Sequence, residues 1–476
     1  MPSIKPKRTF FFYDLETTGL NPREDRIMQF AGIRTDENLE PIGEPHNILV
    51  RLSDDVLPNP YALVVTGIAP QETLSKGISE PEFAKFISEE ACSPETVMVG
   101  FNNIRFDDEF IRHLLWRNFH DPYEWCWKDG RGRWDLLDVV RMTRALRPDG
   151  ITWPFDGSGK PINKLEAITT ANGIDHFKAH DALSDVEALI AVTKLIRHSQ
   201  PKLYDYLLKM RDKNEVKKLV NLEDKAPFVY TSGRYGSANA FTTVGFPLTA
   251  GSNGNVMIYD LRVDPADFID LSESDLSRRL NASWDERKKD GFVPISVKEL
   301  AYNKAPAVAP LGVLDAAAWD RIGLHQETIA RHRHALLKNP AFAENVRSAV
   351  QNRRTFAKSS DPEAQLYDGF VADGDKSKIA KIPTLDLDGL ADYQPGFSDE
   401  RLGPLFMHYK ARNFPDSLTA DEMKQWTAWR DGKLKAALPA FAKDLEAAAN
   451  ANADDERKLY VIQELQYYAE GIVPFD

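Results

Sequence analysis

The stretch TFFFYDLETTG, residues 9–19, decides how the chain is read. An apolar run that ends in Asp-Leu-Glu predicts a β-strand, and strand side chains alternate, so Asp14 and Glu16 share one face while Tyr13 and Leu15 share the other. Two carboxylates at that separation repel and raise each other's pKa, a cost that a bound divalent cation converts into a gain. A bare D-x-E pair is equally what a solvated strand end looks like. The sequel Thr17-Thr18-Gly19 favours the first reading, because Gly19 permits a tight backbone turn beside a ligand.

The rest of the chain bounds the answer. Its 476 residues and 53.8 kDa exceed one ordinary core, and 42% hydrophobic with 28% charged residues is a globular composition. Cys92 and Cys126 are too few for a disulfide framework or a thiolate zinc site, which suits a reducing compartment and predicts a cytoplasmic protein. The N-terminal apolar stretch is too short for a signal peptide or a membrane span. A net charge of −12 argues against indiscriminate coating of nucleic acid, so a polyanion must meet local basic surfaces. Arg141, Arg144 and Arg147, or the KMRDKNEVKK stretch at 209–218, offer such surfaces, although basic helical faces are usually just solvated.

Strand and helix patterns predict an α/β domain over 1–200 with a mixed sheet, a β-rich domain with flanking helices over 201–354, and a helical domain over 355–476. RIMQFAGIRTD (26–36) reads as the hairpin partner of the first strand and TVMVGFN (96–102) as a buried strand. DDEFIRHLLWRNF, WDLLDVVRMTRAL, KLEAITTANG and DALSDVEALIAVTKLIRHS read as helices. In GFNNIRFDDEF a third acid, Asp107, flanks the apolar stripe Phe106, Phe110 and Leu114, though first-turn acids also stabilise a helix through its dipole. HDALSDVEAL adds Asp185 one turn inside a helix and His180 just before it, an ordinary place for a surface histidine. The combination of D-x-E on a strand, an acid at a strand-to-helix junction and H-x4-D at another helix start carries more weight than any part.

Asp14, Glu16, Asp107, Asp185 and His180 together resemble the ordered signature of the D-E-D-D-h, DnaQ-like superfamily of 3'-5' exonucleases. GFNN, RFDDE, RNFHDPYEW, RWDLLDV, ALRPDGITWP, HDALSDVEA, AQLYDGF and ARNFP resemble the bacterial exodeoxyribonuclease I family over essentially the whole chain. The resemblance implies a ribonuclease H-like exonuclease domain, an SH3-like domain and a helical C-terminal domain. It implies 3'-5' digestion of single-stranded DNA to 5'-mononucleotides, in DNA repair and recombination, by water attack between two Mg²⁺ ions, with Mn²⁺ as a substitute. On that reading Asp14 bridges both ions, Glu16 and Asp185 hold the nucleophile-side ion, and Asp107 serves the other through water. Glu16 also touches the 3'-hydroxyl, and His180 is the general base.

Single strands are held by cations along the backbone and aromatics under the bases. Resemblance and the interleaved stretch 112–134 point to Arg112, Tyr123 and Trp127, together with Thr17, Arg141, Lys164, Tyr367 and Phe370. A packed aromatic cluster is the alternative, and it is the preferred reading for Trp116, Trp125 and Trp134. Lys164 stands where relatives often carry arginine, keeping the charge without the fork. By resemblance the acidic tail of single-strand DNA-binding protein is the protein partner, received by Arg147 and Tyr206, and the chain is a monomer. APAVAPLGVLDAAAW (305–319) carries no cation, which predicts an altered partner site. The rivals are an exoribonuclease or oligoribonuclease of the same superfamily, and a non-catalytic single-strand-binding adaptor.

Overall fold

The computed structural model describes residues 7–174, 182–352 and 358–474. By compactness the chain divides into two units, each assembled from separated stretches. The first joins 1–133, 176–190 and 358–476; the second joins 134–175 and 191–357.

The first unit is built on a mixed sheet. Strand β1 (Thr9–Thr17) pairs antiparallel with β2 (Ile27–Thr35), which pairs antiparallel with β3 (His46–Leu49); on its other side β1 runs parallel to β4 (Thr96–Gly100), and β5 (Gly132–Asp135) is the far edge. The hairpin partnership expected for 26–36 is present. Phe10 to Tyr13 are all buried, so both faces of β1 are covered up to the point where Asp14 and Glu16 emerge half-buried. Register shifts between Glu16, paired with Gln29, and Thr17, paired with Ile27, a bulge beside the acids at the end of the ladder. Helix Asp107–Arg117 lays Phe110, Ile111, Leu114 and Leu115 against Phe11, Tyr13 and Met98, with Phe106 packed at the edge, as its stripe predicts.

The C-terminal stretch completes this unit. Phe441 from helix Ala420–Ala451 and Leu465 from helix Glu456–Ile472 share a core with Met28, Leu52 and Leu63. Trp116 and Phe119 share another with Leu390, Leu402 and Phe406. Trp116, Trp125 and Trp134 are core residues, as preferred.

The second unit carries an antiparallel sheet in the order β10-β6-β7-β8-β9, formed by β6 (Phe228–Thr231), β7 (Thr242–Ala250), β8 (Val256–Asp260), β9 (Val297–Leu300) and β10 (Ala307–Pro310). One expectation needs correcting: Trp134 and Asp135 belong to β5, and helix Leu136–Leu146 starts after them, with the Asp135 side chain accepting the Leu137 N–H at 3.0 Å. Among the described residues no helix is long and apolar enough to cross a membrane.

Candidate active site

The strand alternation brings Asp14 and Glu16 to one face, and helix Ala182–Ser199 delivers Asp185 to them: one carboxylate oxygen of each lies within 4.8 Å of the others. Burial and the charge of Asp185 push the Asp14 carboxyl up to about 7. Three crowded acids that resist joint ionisation, offering oxygen only, fit a hard divalent cation. Asp107 lies outside this group of three; it is buried in the first turn of its helix. His180 lies outside the described residues.

The turn after Glu16 explains Gly19. A Cβ there would stand 2.5 to 2.6 Å from the Asp25 carboxylate, which accepts from Thr18 Oγ1 at 3.0 Å and from the Asn21 N–H at 2.8 Å. Glu16 and Thr17 line a cleft of about 800 Å³ with an apolar side that includes Leu20, Tyr61, Phe106 and Phe441. The Thr17 hydroxyl donates to the Gly19 carbonyl at 2.7 Å.

Asp108, next to Asp107, does different work. It is fully buried, accepts from Tyr13 Oη at 2.6 Å and from Asn103 Nδ2 at 3.2 Å, and faces Arg133 Nη1 at 2.6 Å. Tyr13 adjoins Asp14 and Asp108 adjoins Asp107, so this lock fixes the strand that carries two acids against the helix that carries another. Reading 107–109 as first-turn acids missed it; Asn103 and Tyr13 flanking the acid motifs were the available signal. Asp108→Asn removes the charge facing a buried guanidinium and lowers stability by about 3 kcal/mol, checked by urea denaturation.

Of the residues expected to hold a strand, six lie in the first unit: Thr17 in the cleft beside Glu16, and Arg112, Tyr123, Trp127, Tyr367 and Phe370. Arg112 Nη1 lies 3.1 Å from Glu109 and 3.3 Å from Tyr367 Oη, and its guanidinium sits 5.7 Å from the Tyr123 ring centre. Tyr123, Trp127 and Phe370 line a second cleft of about 760 Å³, where Trp127 is 63% and Phe370 93% exposed, unlike the packed tryptophans. Arg141 and Lys164 belong to the second unit: Arg141 pairs with Asp138 at 2.7 Å and stands 4.8 Å from the Phe241 ring centre, and Lys164 is exposed. Arg147 and Tyr206 belong there too. Arg147 donates to the Val313 carbonyl at 2.9 Å and faces Asp315 at 3.5 Å, both inside the cation-free stretch; Tyr206 is half-buried beside the sheet core.

The strand end with its paired acids and the helix acid beside them lie within residues 11–193, which match the family model described as Exonuclease and make this an exonuclease domain. Residues 211–352 and 360–472 match those for the exonuclease I SH3-like domain and the exonuclease I C-terminal domain. Exodeoxyribonuclease I of Haemophilus influenzae is 39% identical over 97% of this chain and 98% of its own, and that of Escherichia coli 37% identical over 98% and 99%. The E. coli exonuclease I structure in complex with a dA16 oligonucleotide superposes with TM-score 0.94, at 37% identity, covering 98% of this chain and 100% of that one. At 36% identity and the same coverage, a zinc-bound E. coli ExoI–ssDNA complex gives TM-score 0.93 and an SSB/exonuclease I structure with an inhibitor 0.90. The chain belongs to the exodeoxyribonuclease I family of DnaQ-like exonucleases. It is a nuclease with an exonuclease fold, an SH3-like domain and a helical C-terminal domain.

Proposed function

We propose that the protein digests single-stranded DNA from the 3' end, releasing 5'-mononucleotides for DNA repair and recombination, with 1–200 as the exonuclease domain, 201–354 as the SH3-like domain with flanking helices and 355–476 as the helical C-terminal domain. The observation that carries this is the convergence of Asp14, Glu16 and Asp185 within 4.8 Å. Those three acids, with Asp107, would hold two divalent ions, Mg²⁺ or Mn²⁺. When bound, the ions lower the pKa of the attacking water and stabilise the leaving oxygen. The residues do the rest. Glu16, which lines the cleft, accepts a hydrogen bond from the terminal 3'-hydroxyl and so selects a free end. His180 takes the proton of the attacking water, since an imidazole titrates near working pH. No serine or cysteine nucleophile is required.

Arg112, Tyr123, Trp127, Tyr367 and Phe370 contact the strand, Thr17 contacts its scissile end, and Arg141 and Lys164 contact phosphates. Exposed rings at Trp127 and Phe370 support stacking under bases. Arg147 and Tyr206 receive the acidic tail of single-strand DNA-binding protein, whose carboxylates must displace the Asp315 contact on Arg147. Free thiols at Cys92 and Cys126 suit a monomer working in the cytoplasm.

Digestion of end-labelled oligonucleotides tests the reading. Single-stranded DNA is degraded from its 3' end with Mg²⁺ and not with chelator, while duplex DNA and RNA of the same sequence persist. Preferred digestion of RNA would install the exoribonuclease reading, and binding without any cleavage the adaptor.

A further inference from the structure

The turn that follows Glu16 is anchored from below by a buried cluster of charges. Arg26, 2% exposed, sits at its foot. Its backbone N–H donates to Thr18 Oγ1 at 2.9 Å, and its carbonyl accepts the Thr18 N–H at 2.9 Å, two residues beyond Glu16. Its guanidinium donates upward to the carbonyls of Glu24 at 2.9 Å and Asp25 at 3.3 Å, and downward to Glu363 at 2.8 Å and Asp55 at 3.4 Å. Arg26 thus closes both legs of the turn and ties them to a carboxylate supplied by the C-terminal segment.

Glu363 is fully buried. It pairs with Arg412 and with His408 Nδ1 at 3.1 Å, and Arg412 grips Asp55 through two contacts of 2.9 Å. Oxygen and nitrogen atoms of Asp361, Glu363 and His408 lie within 4.8 Å of one another, which on ligand types alone resembles a cation site. Arg26 and Arg412 already supply positive charge at hydrogen-bonding distance, so an added cation would be repelled. The cluster is a charge-balanced anchor.

The main chain at the same place reaches the other catalytic element. The Pro362 carbonyl accepts from Trp116 Nε1 at 3.0 Å, and the Glu363 carbonyl lies 3.3 Å from His113 Nδ1; both side chains stand on the helix that begins at Asp107. Buried ion clusters contribute little net stability compared with apolar packing of equal volume, because desolvation offsets the attraction. What they do provide is fixed geometry, and a metal site demands placement of its ligands to about 0.5 Å.

We propose that Glu363 is a positioning residue of the nuclease site: through Arg26 it fixes the turn behind Asp14 and Glu16, while its own backbone fixes the Asp107 helix, so the C-terminal segment sets the spacing of the acids. The inference rests on the reading of those acids as the metal site.

Arg26→Met tests it, because each acid keeps another cation: Glu363 keeps Arg412, Asp55 keeps Arg412 and Lys433, and Glu80 keeps Arg117. The control, Lys433→Met, removes charge from the same cluster but contacts Asp55 at 2.8 Å rather than the turn. Arg26→Met weakens Mn²⁺ binding, measured calorimetrically, by about 10- to 100-fold and lowers kcat while leaving KM for single-stranded DNA unchanged. Arg26→Lys keeps the buried charge but loses the fork, and falls between parent and Met; it decides the matter if the Met variant does not fold. Lys433→Met lowers Tm with parental Mn²⁺ affinity. Parental affinity in both Arg26 variants, or an equal loss in Lys433→Met, overturns the proposal alone. A parent that neither binds Mn²⁺ nor cleaves DNA overturns the metal site and this inference together.

Discussion

In chelator at pH 8, Asp14→Asn melts at a higher temperature than the parent protein, and saturating Mg²⁺ reverses the order. The cause is the Asp14 carboxyl, pushed up to about 7 in the native state by burial and by Asp185, against about 3.9 in an unfolded chain. A carboxyl raised on folding contributes stability that is present below its unfolded pKa and is lost as pH rises through its folded one. The metal-free parent therefore weakens between roughly pH 4 and pH 7, by at most about 4 kcal/mol, and asparagine does not. Cation binding to the native state restores the parent by mass action, and the variant forgoes that gain together with hydrolysis. Thermal melts of both proteins from pH 4 to 8, with and without Mg²⁺, check each part. Equal melting temperatures at pH 8 in chelator would contradict the crowding of Asp14 and Asp185.

His180→Ala lowers turnover on single-stranded DNA by about 10² to 10⁴, the usual size of a general-base contribution, while DNA binding followed by fluorescence anisotropy is retained. The pH profile carries the sharper signature. Parent activity falls as the imidazole protonates, and the variant lacks that limb. Undiminished turnover would remove His180 from the reaction and leave the acids to act without it.

Much of this site is legible in the sequence because periodicity encodes it. Period 2 in TFFFYDLE places Asp14 and Glu16 together, and the break in register at Thr17 lies where Gly19 suggests a turn. What periodicity does not encode is which of two adjacent acids does which task. Asp107 and Asp108 share a first helical turn; only Tyr13, 95 positions away, and Arg133, 25 positions away, assign Asp108 to the lock. The same limit hides Arg26, whose place at the foot of β2 reads as an exposed strand end until Glu363, 337 positions away, is seen to neutralise it. Trp116, which packs on Leu402 and Phe406, and Trp127, which faces solvent, are told apart as expected, though tryptophan spacing alone does not separate them and the family resemblance supports Trp127. Buried charge and exposed aromatics both invert the pattern from which burial is inferred.

The first compact unit takes its material from both ends of the polypeptide. A ribosome that has finished the three signature motifs has therefore not yet completed the core on which they stand. Met28, Leu52 and Leu63 still await Phe441 and Leu465, and Arg26 still awaits its counter-charge. Until helices Ala420–Ala451 and Glu456–Ile472 emerge, the nascent chain presents open apolar surface at Met28, Leu52 and Leu63, where the folded protein has a core.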